Sequence, residues 1–323
     1  MVRMAIERGG YNVVGTLGAP HPQVEAALEA MAGFPKIETL TTNDARRLTT
    51  ILAAAPEAVA SVTQRWIPGP GGPLAVRVYR PRTGDRPGAF VYLHGGGWVI
   101  GSLEAADGGC RRIANATGTV VVSVDYRLAP ENKYPAALDD TYAALCWVRD
   151  QADELGIDPR KLVIGGSSAG GNLAAAACLV ARDRGGPPLA MQVLIVPALW
   201  MATGATESMR TNGESYGLDA ATMEWFARHY IGTEDDANDP LVSPYLAKDL
   251  RGLPPALIVT AEFDALRDDG ELYGGRLREA GVEATVIRYA GMIHGFMGFA
   301  SIDAAGVAVG HIGEIVRARL AEI

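Results

Sequence analysis

Between Lys161 and Leu173 the chain runs from an apolar strand, Leu162-Val163-Ile164, through Gly165-Gly166-Ser167-Ser168-Ala169-Gly170-Gly171 into an alanine-rich helix. The turn is too tight for side chains, and one serine, Ser168, stands at its apex in a GxSxG pattern, a nucleophile elbow. Gly166 and Gly170 hold the outer positions because a Cβ two residues either side of the apex would strike neighbouring backbone. Ser168 is thereby held outward at a helix N-terminus, beside free backbone N–H groups and the positive end of the helix dipole. Around this turn, from residue 90 onward, strands and helices alternate: strands at 89–93, 119–124, 162–164, 191–196, 256–260 and 284–289, helices at 105–116, 135–152, 169–184 and 303–321. Continuous apolar strands between amphipathic helices require a parallel sheet covered on both faces. Two further strands, 59–67 and 74–79, read as an antiparallel hairpin, which makes an α/β fold with a mostly parallel eight-stranded sheet.

A GxSxG alone is weak evidence in a chain with 39 glycines. A second signature, His94-Gly95-Gly96-Gly97-Trp98, follows the strand at 89–93. Consecutive glycines let backbone N–H groups approach a developing oxyanion, so the two motifs point to one acyl-transfer site. With Asp125-Tyr126-Arg127-Leu128-Ala129-Pro130-Glu131 between them, and with Ala261-Glu262-Phe263-Asp264-Ala265-Leu266-Arg267-Asp268-Asp269-Gly270 and Ile293-His294-Gly295-Phe296 after them, the chain resembles the hormone-sensitive-lipase-like (bacterial family IV) carboxylesterases of the α/β-hydrolase superfamily. The resemblance spans about residues 60 to 300. Ser167 departs from it, since the family usually has Asp there; the position is the variable one of the elbow.

The histidines are few enough to sort by elimination. His21 opens an N-terminal helix, His229 lies in an insertion, His311 belongs to the last helix and His94 anchors the glycine loop. His294 remains, in a Gly291-to-Gly295 loop after the last strand, where a neutral imidazole suits proton transfer to and from Ser168. The third member must be a carboxylate that orients the imidazole. Glu262, Asp264, Asp268 and Asp269 compete; Asp264 has a suitable place on the loop and the resemblance puts the catalytic Asp there, while Asp268 and Asp269 read as caps of the following helix. The elbow implies the Ala169 N–H as one oxyanion donor, and the resemblance adds Gly96 and Gly97. The segment 126–131 is expected to buttress the site. Trp98, Met201, Met209 and Phe296 are candidates for the substrate pocket.

Before the sheet, His21-Pro22-Gln23 opens a helix with Val24, Leu28 and Met31 on one face, and Asn43 or Asp44 caps a second with Leu48, Ile51 and Leu52. About forty residues after the sixth strand, 198–237, break the rhythm and are rich in Met and aromatic side chains. Residues 1–50 and 198–237 are therefore assigned to a helical cap, and 51–197 with 238–323 to the catalytic core. A net charge of −8 argues against nucleic acid. Cys110, Cys146 and Cys178 are spaced as core residues, not as disulfides or metal ligands, and the chemistry calls for no metal and no cofactor. The first ten residues carry no signal-like apolar stretch, and the greasiest segment, 189–201, is interrupted by Gln192 and Pro197 and is shorter than a membrane span. A cytoplasmic serine carboxylesterase follows, acting on small hydrophobic esters, with short acyl chains implied by the resemblance and a homodimer left open. Three alternatives share the fold: an amidase or deacetylase using the same residues, a lyase, and a non-catalytic small-molecule receptor, against which His294 argues.

Overall fold

Every residue of the runs 89–93, 120–124 and 191–195 is buried, as strands covered on both faces must be. The computed structural model describes residues 5–6, 11–51, 57–82, 87–201 and 206–323. In chain order the elements are β1 (Ala5–Ile6), β2 (Asn12–Val14), α1 (Pro22–Met31), α2 (Thr42–Ile51), β3 (Ser61–Gly69), β4 (Gly72–Arg80), β5 (Ala89–Leu93), α3 (Leu103–Thr117), β6 (Val120–Val124), α4 (Ala136–Asp150), α5 (Ala152–Leu155), β7 (Leu162–Ser167), α6 (Ala169–Asp183), β8 (Met191–Ile195), α7 (Glu207–Asn212), α8 (Ala220–Tyr230), β9 (Ala256–Phe263), α9 (Arg267–Glu279), β10 (Ala284–Ile293) and α10 (Asp303–Ala321).

These strands form one sheet in the order β1-β2-β10-β9-β8-β7-β5-β6-β4-β3. From β2 to β6 all neighbours are parallel. The β3–β4 hairpin and the β4–β6 and β1–β2 pairs are antiparallel. The expected eight strands are β3 to β10, and the sheet has ten among the described residues; β1 and β2 add to the β10 edge. Strands of two and three residues are too short to show an alternating pattern, so nothing in the sequence announces them. The described part of the first fifty residues thus supplies strands as well as helices.

Alternation within β5 shows how the sheet makes two cores. Ala89, Val91 and Leu93 face α4 and α6, while Phe90 and Tyr92 face α3 and α10. Helix bounds differ from expectation in several places, as at α3, which starts at Leu103, two residues before the expected 105. The cap of α2 is Thr41, whose Oγ1 accepts from Asp44 N at 3.2 Å, in place of Asn43 or Asp44. Leu52 and the side chain of Ile51, both of that expected apolar face, lie outside what is described, and Ala45, fully buried, is an inward contact of the helix. The helix expected over 135–152 stops at Asp150 and restarts as the short α5.

Over the carboxyl ends of the strands lies a helical cap made of α1, the turn Ile37–Thr39, α7 and α8. Its two halves are joined by Lys36 Nζ to Asp219 Oδ2 at 2.8 Å and by Thr222 Oγ1, which donates to Glu38 Oε2 at 2.7 Å. Cys110, Cys146 and Cys178 are free thiols on α3, α4 and α6.

Candidate active site

β7 leads straight into Ser168, whose backbone sits at φ 57° and ψ −117°, a strained conformation for a residue with a Cβ. The crowding that forces glycine on either side is explicit: a Cβ on Gly166 would lie 2.3 Å from Leu93 O, and one on Gly170 2.0 Å from the same oxygen. Ser168 N donates to Ile195 O at 2.8 Å, which ties the turn to β8. His294 Nε2 lies 3.0 Å from Ser168 Oγ, and His294 Nδ1 lies 2.9 Å from Asp264 Oδ2. The carboxylate requires the proton on Nδ1, which leaves Nε2 to accept from the serine hydroxyl. Asp264 is 1% exposed, and its other oxygen accepts from Leu266 N at 2.9 Å, so the carboxylate is fixed from both sides.

β9 and β10 run further than the sequence pattern suggests, to Phe263 and Ile293, so Asp264 and His294 are each the first residue past a strand end. Of the four competing acids, Asp264 alone touches His294; the others hold backbone. Glu262 accepts from Gly18 N at 2.8 Å and from Gly291 N at 2.7 Å, three residues before His294. The expected capping of their own helix by Asp268 and Asp269 is not found: both lie in the first turn of α9, and its cap position, Leu266, has no side-chain cap. Asp268 accepts from Ser208 N at 2.7 Å, and Asp269 accepts from Leu199 N and Trp200 N at 2.9 Å, because the segment inserted after β8 presents free N–H groups to them. Asp269 pays for this position with burial, which pushes its carboxyl up to about 7.

Gly96 and Gly97 follow β5 with φ of 122° and 56°, and no partner within the described residues takes the N–H groups of Gly96, Gly97 or Ala169. The loop is braced from behind. Tyr126 OH donates to His94 O at 2.8 Å, His94 Nδ1 bonds Gly95 O at 2.8 Å, and Ala129 N donates to Trp98 O at 2.9 Å. Burial lowers the His94 imidazole to about 4, so it is a neutral anchor. From α2, Arg46 reaches Val99 O and Ala129 O at 2.8 Å each and pairs with Glu131.

A cavity of about 350 Å³ opens over Ser168 and His294. Met31, Met201, Met209, Met223, Phe226 and Phe299 are among its walls, and no Asp, Glu, Lys or Arg lines it among the described residues. Met201 and Met209 are therefore on the wall. Trp98 reaches it too, but is 4% exposed and lies flat on Tyr230, with ring centroids 4.3 Å apart. Phe296 corrects the expectation: it is fully buried, packs on Tyr289, and faces a separate cavity of about 220 Å³ behind the elbow, since the tight turn at Gly295 sends it away from Ser168. Phe299 and Leu266 take places that the sequence left unassigned; Phe299 lies outside the motifs and Leu266 inside the segment that bears Asp264, and the loop geometry after β10 and β9 brings them in. Among the described residues no cluster of His, Cys, Asp or Glu is arranged to hold a metal ion. No described helix is long and apolar enough to cross a membrane.

A protein family described as alpha/beta hydrolase fold matches residues 90–298. The carboxylic ester hydrolase LipN of Mycobacterium tuberculosis is 44% identical over 249 residues, covering 75% of this chain and 66% of that protein. An arylesterase of Saccharolobus solfataricus is 44% identical over 226 residues, 70% of this chain and 73% of its own length. Among solved structures, a hyperthermophilic esterase from the archaeon Pyrobaculum calidifontis superposes with a TM-score of 0.88 at 44% identity, covering 93% of this chain and 99% of that one.

Proposed function

This chain belongs to the α/β-hydrolase family, in its hormone-sensitive-lipase-like branch, and from that footing we propose that it is a serine carboxylesterase acting on short-chain, relatively hydrophobic esters. The carrying observation is the hydrogen-bonded line Ser168–His294–Asp264, at 3.0 and 2.9 Å, on the floor of an apolar cavity. In this reading Ser168 Oγ attacks the ester carbonyl carbon while its proton passes to His294 Nε2. Asp264 stabilises the imidazolium, and the N–H groups of Gly96, Gly97 and Ala169 stabilise the tetrahedral oxyanion. Collapse expels the alcohol, which takes the proton from His294. Water then attacks the acyl-Ser168 by the same route and frees the acid.

The uncharged wall supports neutral substrate arms, and its four methionines, flexible thioethers, support tolerance of shape. The proposed cap is residues 1–50 and 198–237, apart from the strands that the first of these gives to the sheet. A cytoplasmic location and a homodimer belong to the same proposal; β3, a nine-residue edge strand carrying Trp66 at 68% exposure, supports the dimer, which sedimentation tests. The function is tested with p-nitrophenyl esters from acetate to dodecanoate beside a matched anilide. Hydrolysis that declines with chain length and strongly favours ester over amide is expected. Preferred cleavage of the amide, or no hydrolysis of any ester, overturns the proposal.

A further inference from the structure

The loop that carries the glycine N–H groups is gripped by the cap. Trp98 adopts φ 60°, a left-handed conformation that strains any residue with a Cβ, and follows Gly97 at φ 56°. Two side chains one turn apart on α8 hold this pair. Phe226 packs on Gly97 so closely that a Cβ there would fall 2.1 Å from its Cγ. Tyr230 stacks on the Trp98 indole at 4.3 Å with the planes 7° apart. Residues at i and i+4 share one helix face, so a single rigid element sets two consecutive loop residues. Tyr230 is fully buried and does not line the cavity over Ser168; its hydroxyl has no partner among the described residues, and its carbonyl accepts from Tyr134 N at 2.9 Å.

We propose that Tyr230 is a positioning residue for ester hydrolysis, and that seating of α8 and assembly of the oxyanion hole are one event. The inference rests on the esterase reading above. Lifting α8 removes the stack that keeps Trp98 left-handed, and the Gly97 N–H loses its aim at the oxyanion. The cap thus does more than select substrate: the hole is complete only when the cap is seated.

The test compares Tyr230→Leu with Tyr230→Phe, which keeps the ring. Tyr230→Leu should lower kcat by about 10- to 100-fold, short of the roughly 10²–10³-fold cost of losing a whole oxyanion donor. KM should stay within about twofold, and the inhibition constant of phenylboronic acid, which forms a tetrahedral adduct on Ser168, should rise by the same factor as kcat falls. Tyr230→Phe should restore all three. A variant that loses thermal stability but keeps wild-type kcat and boronate affinity while folded overturns the inference. Should Tyr230→Leu fail to fold, hydrogen exchange on the wild-type protein decides: phenylboronic acid must protect amides of 96–98 and of α8 together, and protection of the loop alone overturns it. Wild-type protein that hydrolyses no ester refutes the esterase reading, a separate outcome from an unimpaired Tyr230→Leu.

Discussion

At the scale of single residues, Ser168, His294 and Asp264 are placed to act as one unit, so their losses should not multiply. Ser168→Ala is expected to lower kcat on the order of 10⁴- to 10⁶-fold with the fold retained, and the double variant with His294→Ala should be no worse than either alone. Multiplying effects in steady-state kinetics would contradict the shared chain of hydrogen bonds. Ser167 offers a second prediction. It lines the cavity behind the elbow together with Arg112, which has no carboxylate partner among the described residues. Ser167→Asp should therefore raise the melting temperature by about 1–3 °C while keeping kcat/KM within about tenfold, and Arg112→Met should cancel the gain. A gain that survives Arg112→Met would show that the added carboxylate acts elsewhere. The serine, the histidine and the glycine loop were legible because each sits in a short motif with a backbone reason for its glycines. Asp264 was legible from its place on the loop together with the resemblance, since four acids lie within and just after the end of β9 and which one meets His294 depends on where the strand stops. Phe296 was misplaced for a related cause: a single left-handed glycine decides to which side the next side chain points.

At the scale of elements, α9 carries a buried acid whose titration is coupled to the segment after β8. Burial pushes the Asp269 carboxyl from its ordinary 3.8 up to about 7, aided by the charges of Asp264 and Asp268 and opposed by the Leu199 and Trp200 N–H groups. One of its oxygens has no partner among the described residues. A folded value above the unfolded one means that the native state holds the proton more tightly. The stability this group contributes is full below about pH 4 and is lost as pH rises through about 7. Asp269→Asn keeps an acceptor for both N–H groups and removes the charge. Its melting temperature should gain on the wild type by several degrees between pH 5 and pH 8; parallel curves over that range would place the cost of ionisation elsewhere. Elements themselves were legible in proportion to their length and burial. The runs at 89–93 and 303–321 were read with their true bounds, while the ends of β9 and β10 were missed because tertiary pairing, not composition, extends them past Thr260 and Tyr289.

At the scale of the whole molecule, the N-terminal fifty residues do two jobs that the sequence presented as one. Asn12–Val14 pairs with β10, Gly18 N bonds Glu262, and His21 N bonds Gly291 O at 3.0 Å, so this segment steadies the loop bearing His294 before it turns upward as α1. Met31 at the end of α1 then forms part of the cavity wall. A pure lid would govern binding alone, whereas a segment tied to the histidine loop must also affect the chemical step, because misplacement by about 1 Å of a catalytic group costs on the order of 10²-fold. Deleting residues 1–40 should thus lower kcat for the acetate ester by at least about tenfold as well as raise KM. Met31→Trp, which changes only the wall, should keep kcat for acetate within about twofold and shift the chain-length preference toward shorter acyl groups as the cavity shrinks. A folded deletion variant with altered KM and unchanged kcat would reduce the segment to a lid and leave the alignment of His294 to β10 alone.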